Sequence, residues 1–107
     1  MNVTTNDTSL CAVALSALEY VVDPEIGLNV VDLGLVYESN FDDRAKKIDC
    51  TMTLTTQFCP MGESISSAVQ TVLQATFPVY KIILTLTFDP AWNYERISEA
   101  GRAYLSH

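Results

Sequence analysis

The hydrophobic period of the chain changes from two residues to about 3.6 across Pro60, and the change dictates what kind of layers it can build. Before it, Ile48, Cys50, Met52 and Leu54 alternate with Asp49, Thr51, Thr53 and Thr55, the pattern of a strand with one face in a core. After Thr56-Gln57-Phe58-Cys59-Pro60, apolar residues recur at helical spacing: Ile65, Ala68, Val69, Val72 and Leu73, then Thr76, until Phe77-Pro78 stops the run. Pro60 suits a first helical position, where its missing N–H has no intrahelical partner in any case. Ile82, Leu84, Leu86 and Phe88 then alternate with Lys81, Ile83, Thr85 and Thr87, and Asp89-Pro90 ends this second strand.

The flanking segments extend the pattern. Thr8 or Ser9 is expected to cap a helix running to about Val22, with Cys11, Leu15, Leu18 and Val22 on its buried stripe. Asp23-Pro24-Glu25 interrupts it, because proline lacks the donor N–H and biases the preceding residue away from helical dihedrals. Alternation from Val30 to Tyr37 predicts a strand, polar Ser39 to Lys47 the loop of a long hairpin, and Asn93 to Leu105 a final helix with Tyr94, Ile97, Gly101 and Tyr104 or Leu105 inward. The expected order is helix, strand, strand, helix, strand, helix. It corresponds to an α+β two-layer sandwich in which helices pack on a small three-stranded mixed sheet. Residues 1–7 read as a disordered tail and residues 8–107 as one domain, the number that 107 residues accommodate.

Thirteen acidic against six basic residues give a net charge of -7, so nucleic-acid backbones and anionic lipid surfaces would repel the chain at long range. No segment approaches the roughly 20 apolar residues of a membrane span, and the N-terminus lacks the basic and apolar regions of a targeting sequence. A cytoplasmic protein with neither nucleic acid nor membrane as partner is expected. The three cysteines, Cys11, Cys50 and Cys59, are an odd number without a C-x-x-C spacing, and the single histidine is the terminal His107, so neither a disulfide framework nor a self-contained zinc site is available.

Cys59 stands at a strand-to-helix turn, where backbone N–H groups and the helix dipole favour a thiolate, the form that binds soft metals and attacks electrophiles. It reads equally as a small buried residue. Cys50 on the apolar face of its strand and Cys11 on the first helix read as core filler. A single thiolate cannot complete a four-ligand site, so any bound cluster must draw further ligands from a second subunit, a partner or a small thiol. Asp23 and Glu25 offer hard ligands or acid–base groups, or else Asp23 merely caps a turn. Thr53 and Thr55 project from the polar strand face; with Thr56 and Pro60 they line the same pocket or simply face solvent. Trp92 is either a partner-binding anchor or a lid on the core.

Four segments together resemble the SufT/PaaD-like family of metal-sulfur cluster assembly proteins (domain of unknown function 59): residues 23–37, from Asp23-Pro24-Glu25 to Tyr37; residues 52–62, which hold Thr53, Thr55, Thr56, Cys59 and Pro60; Phe88-Asp89-Pro90-Ala91-Trp92; and Arg96-Ile97-Ser98-Glu99-Ala100-Gly101. The resemblance spans the chain from about Leu10 onward. It implies an α+β fold and a role in maturing iron-sulfur proteins, with Cys59 matching the motif cysteine and Asp23 and Glu25 the acidic turn. Family domains of this kind also occur fused to P-loop carrier ATPases and as accessory proteins of phenylacetyl-CoA ring oxygenation; no Walker motif is present in this sequence. Ala91 stands where a second proline is frequent in the family.

The leading expectation is therefore a non-enzymatic factor for iron-sulfur cluster assembly or transfer. Cys59 would bind a transient iron or iron-sulfur cluster, Asp23 and Glu25 would shape the pocket, and client apoproteins and cluster carrier proteins would be the partners, with a homodimer as one way to share a site. The alternatives are an adaptor that docks clients without metal, or an accessory protein of a phenylacetyl-CoA oxygenase system. A Cys59 thiol hydrolase lacks a histidine base.

Overall fold

The computed structural model describes residues 3–55 and 62–106. Its elements are β1 (Thr4–Thr5), α1 (Thr8–Leu18), β2 (Val36–Asp42), β3 (Lys47–Met52), α2 (Gly62–Thr76), β4 (Lys81–Leu86), a 3-10 turn (Tyr94–Arg96) and α3 (Glu99–Leu105). The sheet runs β1-β2-β3-β4, with β1 parallel to β2, β2 antiparallel to β3 and β3 parallel to β4. The α+β sandwich expected from the sequence is present, with four strands in place of three. The added strand, Thr4–Thr5 beside Glu38 and Ser39, lies within the stretch assigned above to a tail, and Asn6 secures it by exchanging two hydrogen bonds with the Phe41 backbone.

Local periodicity is realised where expected in β3 and α2. Ile48, Cys50, Met52 and Leu54 are buried, and Ile65, Val69 and Leu73 of α2 close over them into the same core. Lys47 to Met52 pairs without a break with Lys81 to Leu86, so α2 is the crossover between two parallel neighbours. No helix among the described residues is long and apolar enough to cross a membrane.

Four expectations are corrected. Asp7, not Thr8 or Ser9, caps α1: its Oδ1 accepts from the Leu10 N–H at 3.0 Å. The helix ends at Leu18, so Val22 leaves the buried stripe, stands 49% exposed and bridges to Asn29 instead. The predicted strand 30–37 begins as a turn, because the Asn29 side chain accepts from the N–H groups of Val31 and Asp32, and Gly34 takes a φ of +75°. The real β2 therefore occupies much of the expected polar loop, and Asp42 Oδ1 accepts from the Arg44 and Ala45 amides to close a shorter hairpin. Finally, the predicted C-terminal helix is divided at Ile97, whose extended backbone lets the Ser98 N–H donate to the Asp32 carbonyl at 2.7 Å, and Tyr94 is 72% exposed where an inward position was expected.

Candidate functional site

The acidic turn is held by its own first residue. Asp23 is 2% exposed, and its Oδ1 accepts from the Glu25 amide at 2.8 Å and the Ile26 amide at 3.3 Å, while its backbone bonds Leu28 and Gly27. Gly27 closes this loop with a φ of +83°, a conformation that a side chain disfavours. Asp23 thus performs the capping role considered for it, and Glu25 projects as an exposed carboxyl. Pro24 and Val22 face Ser64, Ile65 and Ala68 across a cleft of about 240 Å³, so the acidic loop lies against the first turns of α2.

The end of β3 reaches the same region through the backbone. The Val30 N–H donates to Val21, Leu35 to Val30, and Thr53 to Leu35 at 2.8 Å, a relay of bonds from the acidic loop to the strand end. Thr53 is fully buried, which corrects the expectation that it faces outward with Thr55; past Met52 the strand has ended, and its amide and side chain turn into the core. Thr55 is half-buried. Thr56, Cys59 and Pro60 lie outside the described residues, between Thr55 and Gly62.

The other two thiols are sealed. Cys50 is 1% exposed, and burial pushes its thiol up to about 12, while burial also raises Cys11 above the ordinary thiol range. Neither presents a thiolate at neutral pH, in keeping with their reading as core residues. Among the described residues no three Cys, His, Asp or Glu side chains converge as metal ligands.

A second group of residues, of which the sequence reading had singled out only Trp92 as a candidate anchor or core lid, locks the frame of this region. Ser98 Oγ donates to Asp32 Oδ1 at 2.8 Å and caps α3 by accepting from the Gly101 amide, while Asn29 donates to the other Asp32 oxygen. Arg96 Nε donates to the Gly34 carbonyl at 3.0 Å, and its guanidinium stacks 4.1 Å from the centre of the Tyr37 ring. The Trp92 indole N–H donates to the Leu33 carbonyl at 2.6 Å, and Tyr37 donates to the Pro90 carbonyl. Trp92 is half-buried against the core, with its ring 5.7 Å from that of Tyr94. Between this clasp and the start of β2 lies a cleft of about 380 Å³, bordered by Val31, Asp32, Arg96 and Ser98. Asn29, Asp32, Arg96 and Ser98 are plain in the sequence, but their pairing across more than sixty residues is not.

Residues 12–82 match the family model described as iron-sulfur cluster assembly protein. The chain is 38% identical over 87 residues to the Fe-S protein maturation auxiliary factor SufT of Staphylococcus aureus, covering 79% of this chain and 96% of that one. It is 41% identical over 89 residues to an Fe-S protein maturation auxiliary factor of Porphyromonas gingivalis, covering 82% and 83%. A Bacillus anthracis crystal structure of a domain of unknown function, DUF59, superposes with a TM-score of 0.85 at 34% identity, covering 92% of this chain and 93% of that one.

Proposed function

This chain belongs to the iron-sulfur cluster assembly protein family, and from that premise we propose that it is a cytoplasmic maturation factor in which the Cys59 thiolate transiently holds iron or a nascent cluster. The observation that carries the reading is that Val22 and Pro24 face Ser64 and Ile65 across a cleft, which brings the acidic loop with its exposed Glu25 close to the first turn of α2, the element that follows Cys59 in the sequence. Two further facts support it. Cys11 and Cys50 are buried as thiols, so they compete poorly for metal. A single thiolate leaves the remaining ligands of an iron or cluster to a carrier or client apoprotein, which suits transient binding. Glu25 polarises the pocket, Asp23 fixes the loop, and Thr53 and Thr55 define the strand end that leads into it.

Anaerobic reconstitution with iron and sulfide tests this on the native chain, Cys59→Ala and the Cys11→Ala/Cys50→Ala pair. A visible chromophore retained by the pair and lost with Cys59→Ala is expected. Absence of a chromophore in every form would overturn the thiolate role and leave an adaptor that docks clients through an exposed surface such as that around Trp92 and Tyr94.

A further inference from the structure

The two edges of the sheet are treated differently. On one side β1 is only two residues long, a length that offers little to pair with. On the other, β4 runs for six residues with no proline and no bulge in its register with β3. The Lys81 and Thr87 amides donate to Lys46 and Met52, so alternate residues of β4 turn their backbone groups towards β3, and Ile82, Leu84 and Leu86 turn theirs outward. Among the described residues the partner on this outer edge is the Gln70 side chain, which donates to the Ile82 carbonyl at 3.3 Å and leaves that oxygen a second lone pair. Leu86 is 42% exposed and Leu84 half-buried along the same edge.

We propose that this edge pairs with the same edge of a second copy, antiparallel about a two-fold axis at Thr85, to give a continuous eight-stranded sheet. The charges select the register. Between Val79 and Asp89 the only charged residues are Lys81 and Asp89, both exposed, and a centre at Thr85 sets each Lys81 opposite the Asp89 of the second copy. Within β4 this register places Leu84 opposite Leu86 about Thr85; Ile83, Ile82 and Lys81 then meet Thr87, Phe88 and Asp89 of the second copy just past the end of its β4, where the Thr87 hydroxyl holds the Asp89 backbone. It also brings outward-turned backbone groups face to face, as an antiparallel ladder requires. A centre one residue earlier would leave both charges unpaired. Beside the edge, Ser66, Ser67, Gln70 and Thr71 of α2 form a shallow cleft with Leu84 and Leu86, and these small or flexible side chains let the two α2 helices approach across the axis. The strand ends that lead towards Cys59 point in opposite directions in such a dimer. The pairing is therefore independent of the cluster-binding proposal, and the two fail separately.

Sedimentation equilibrium of the full chain without iron tests it. A concentration-dependent dimer is expected; Lys81→Glu and Asp89→Lys should each raise its dissociation constant about tenfold, and the double variant should restore it to within about threefold. In a Cys59→Ser background, Thr85→Cys should form a disulfide with its own copy on mild oxidation, since it sits on the axis, and Ile83→Cys should not. A monomer at roughly millimolar concentration, a double variant no tighter than either single one, or equal cross-linking from Ile83→Cys and Thr85→Cys overturns the proposal.

Discussion

A Cβ at Gly34 would lie 2.3 Å from the Arg96 carbonyl oxygen and 2.8 Å from the Arg96 Cβ, and the residue already holds a φ of +75°. Clash and backbone strain therefore add at one position, and the atoms in the way are backbone, which cannot swing aside. Gly34→Ala is expected to cost about 3 kcal/mol or more, read as a lowered urea midpoint. Cys50 makes a different prediction at the same scale. Burial pushes its folded thiol up to about 12, whereas in the unfolded chain it returns to the ordinary thiol value of about 9.0. A raised folded value means that its stabilising contribution is complete below the unfolded value and is lost as pH rises towards the folded one. Between about pH 9 and 12 the native chain should lose stability more steeply than Cys50→Ala, by about 1.4 kcal/mol per pH unit. Parallel slopes for the two proteins over that window would show that burial does not hold the thiol protonated.

At the scale of elements, what could be read from the sequence was whatever local periodicity alone decides. β3 and α2 form where alternation and helical spacing predict them, because each buries its apolar face against the other. Residues 30–42 were misassigned because one side chain and one glycine decide their course: Asn29 binds two amides, and Gly34 adopts a left-handed backbone. The division of the last helix depends on Ser98 meeting Asp32 across 66 residues, a contact with no local signature. Of the candidate site, the capping by Asp23 was legible from Asp-Pro, and the burial of Cys11 and Cys50 from their stripes. Thr53 was misjudged because alternation was extended past the true end of the strand. Ser98 also permits a prediction, since it both caps α3 and ties it to the turn before β2. Ser98→Ala should remove about 1 to 2 kcal/mol. The loss should be local: hydrogen exchange at the Gly101 amide should quicken about tenfold while that of Val69 in α2 follows global unfolding alone. Equal acceleration at both amides would mean that the clasp and the core open together.

Across the whole molecule, the basic residues are concentrated at one end of the sheet. Four of the six basic residues, Arg44, Lys46, Lys47 and Lys81, gather where β2 turns into β3 and β4 begins. Glu19, Asp23, Glu25 and Glu63 lie on the segments whose neighbours Tyr20 to Val22, Pro24, Ser64 and Ile65 line the cleft between the acidic loop and α2, and these stretches of sequence hold no basic residue. Exposed charges farther apart than about 8 Å are largely screened at physiological salt, so each of these carboxyls senses chiefly its near neighbours. Such clustering costs stability and is of use where a cation must be attracted. Glu25, exposed in the loop that Asp23 holds, is the carboxyl to test. Glu25→Gln is expected to raise the urea midpoint at low salt by the equivalent of about 0.5 kcal/mol, and the gain should vanish near 1 M salt, where screening falls to about 3 Å. The same variant should retain less iron in reconstitution than the native chain. A stability gain that persists at high salt would trace to packing instead of repulsion, and unchanged iron retention would remove Glu25 from the proposed pocket.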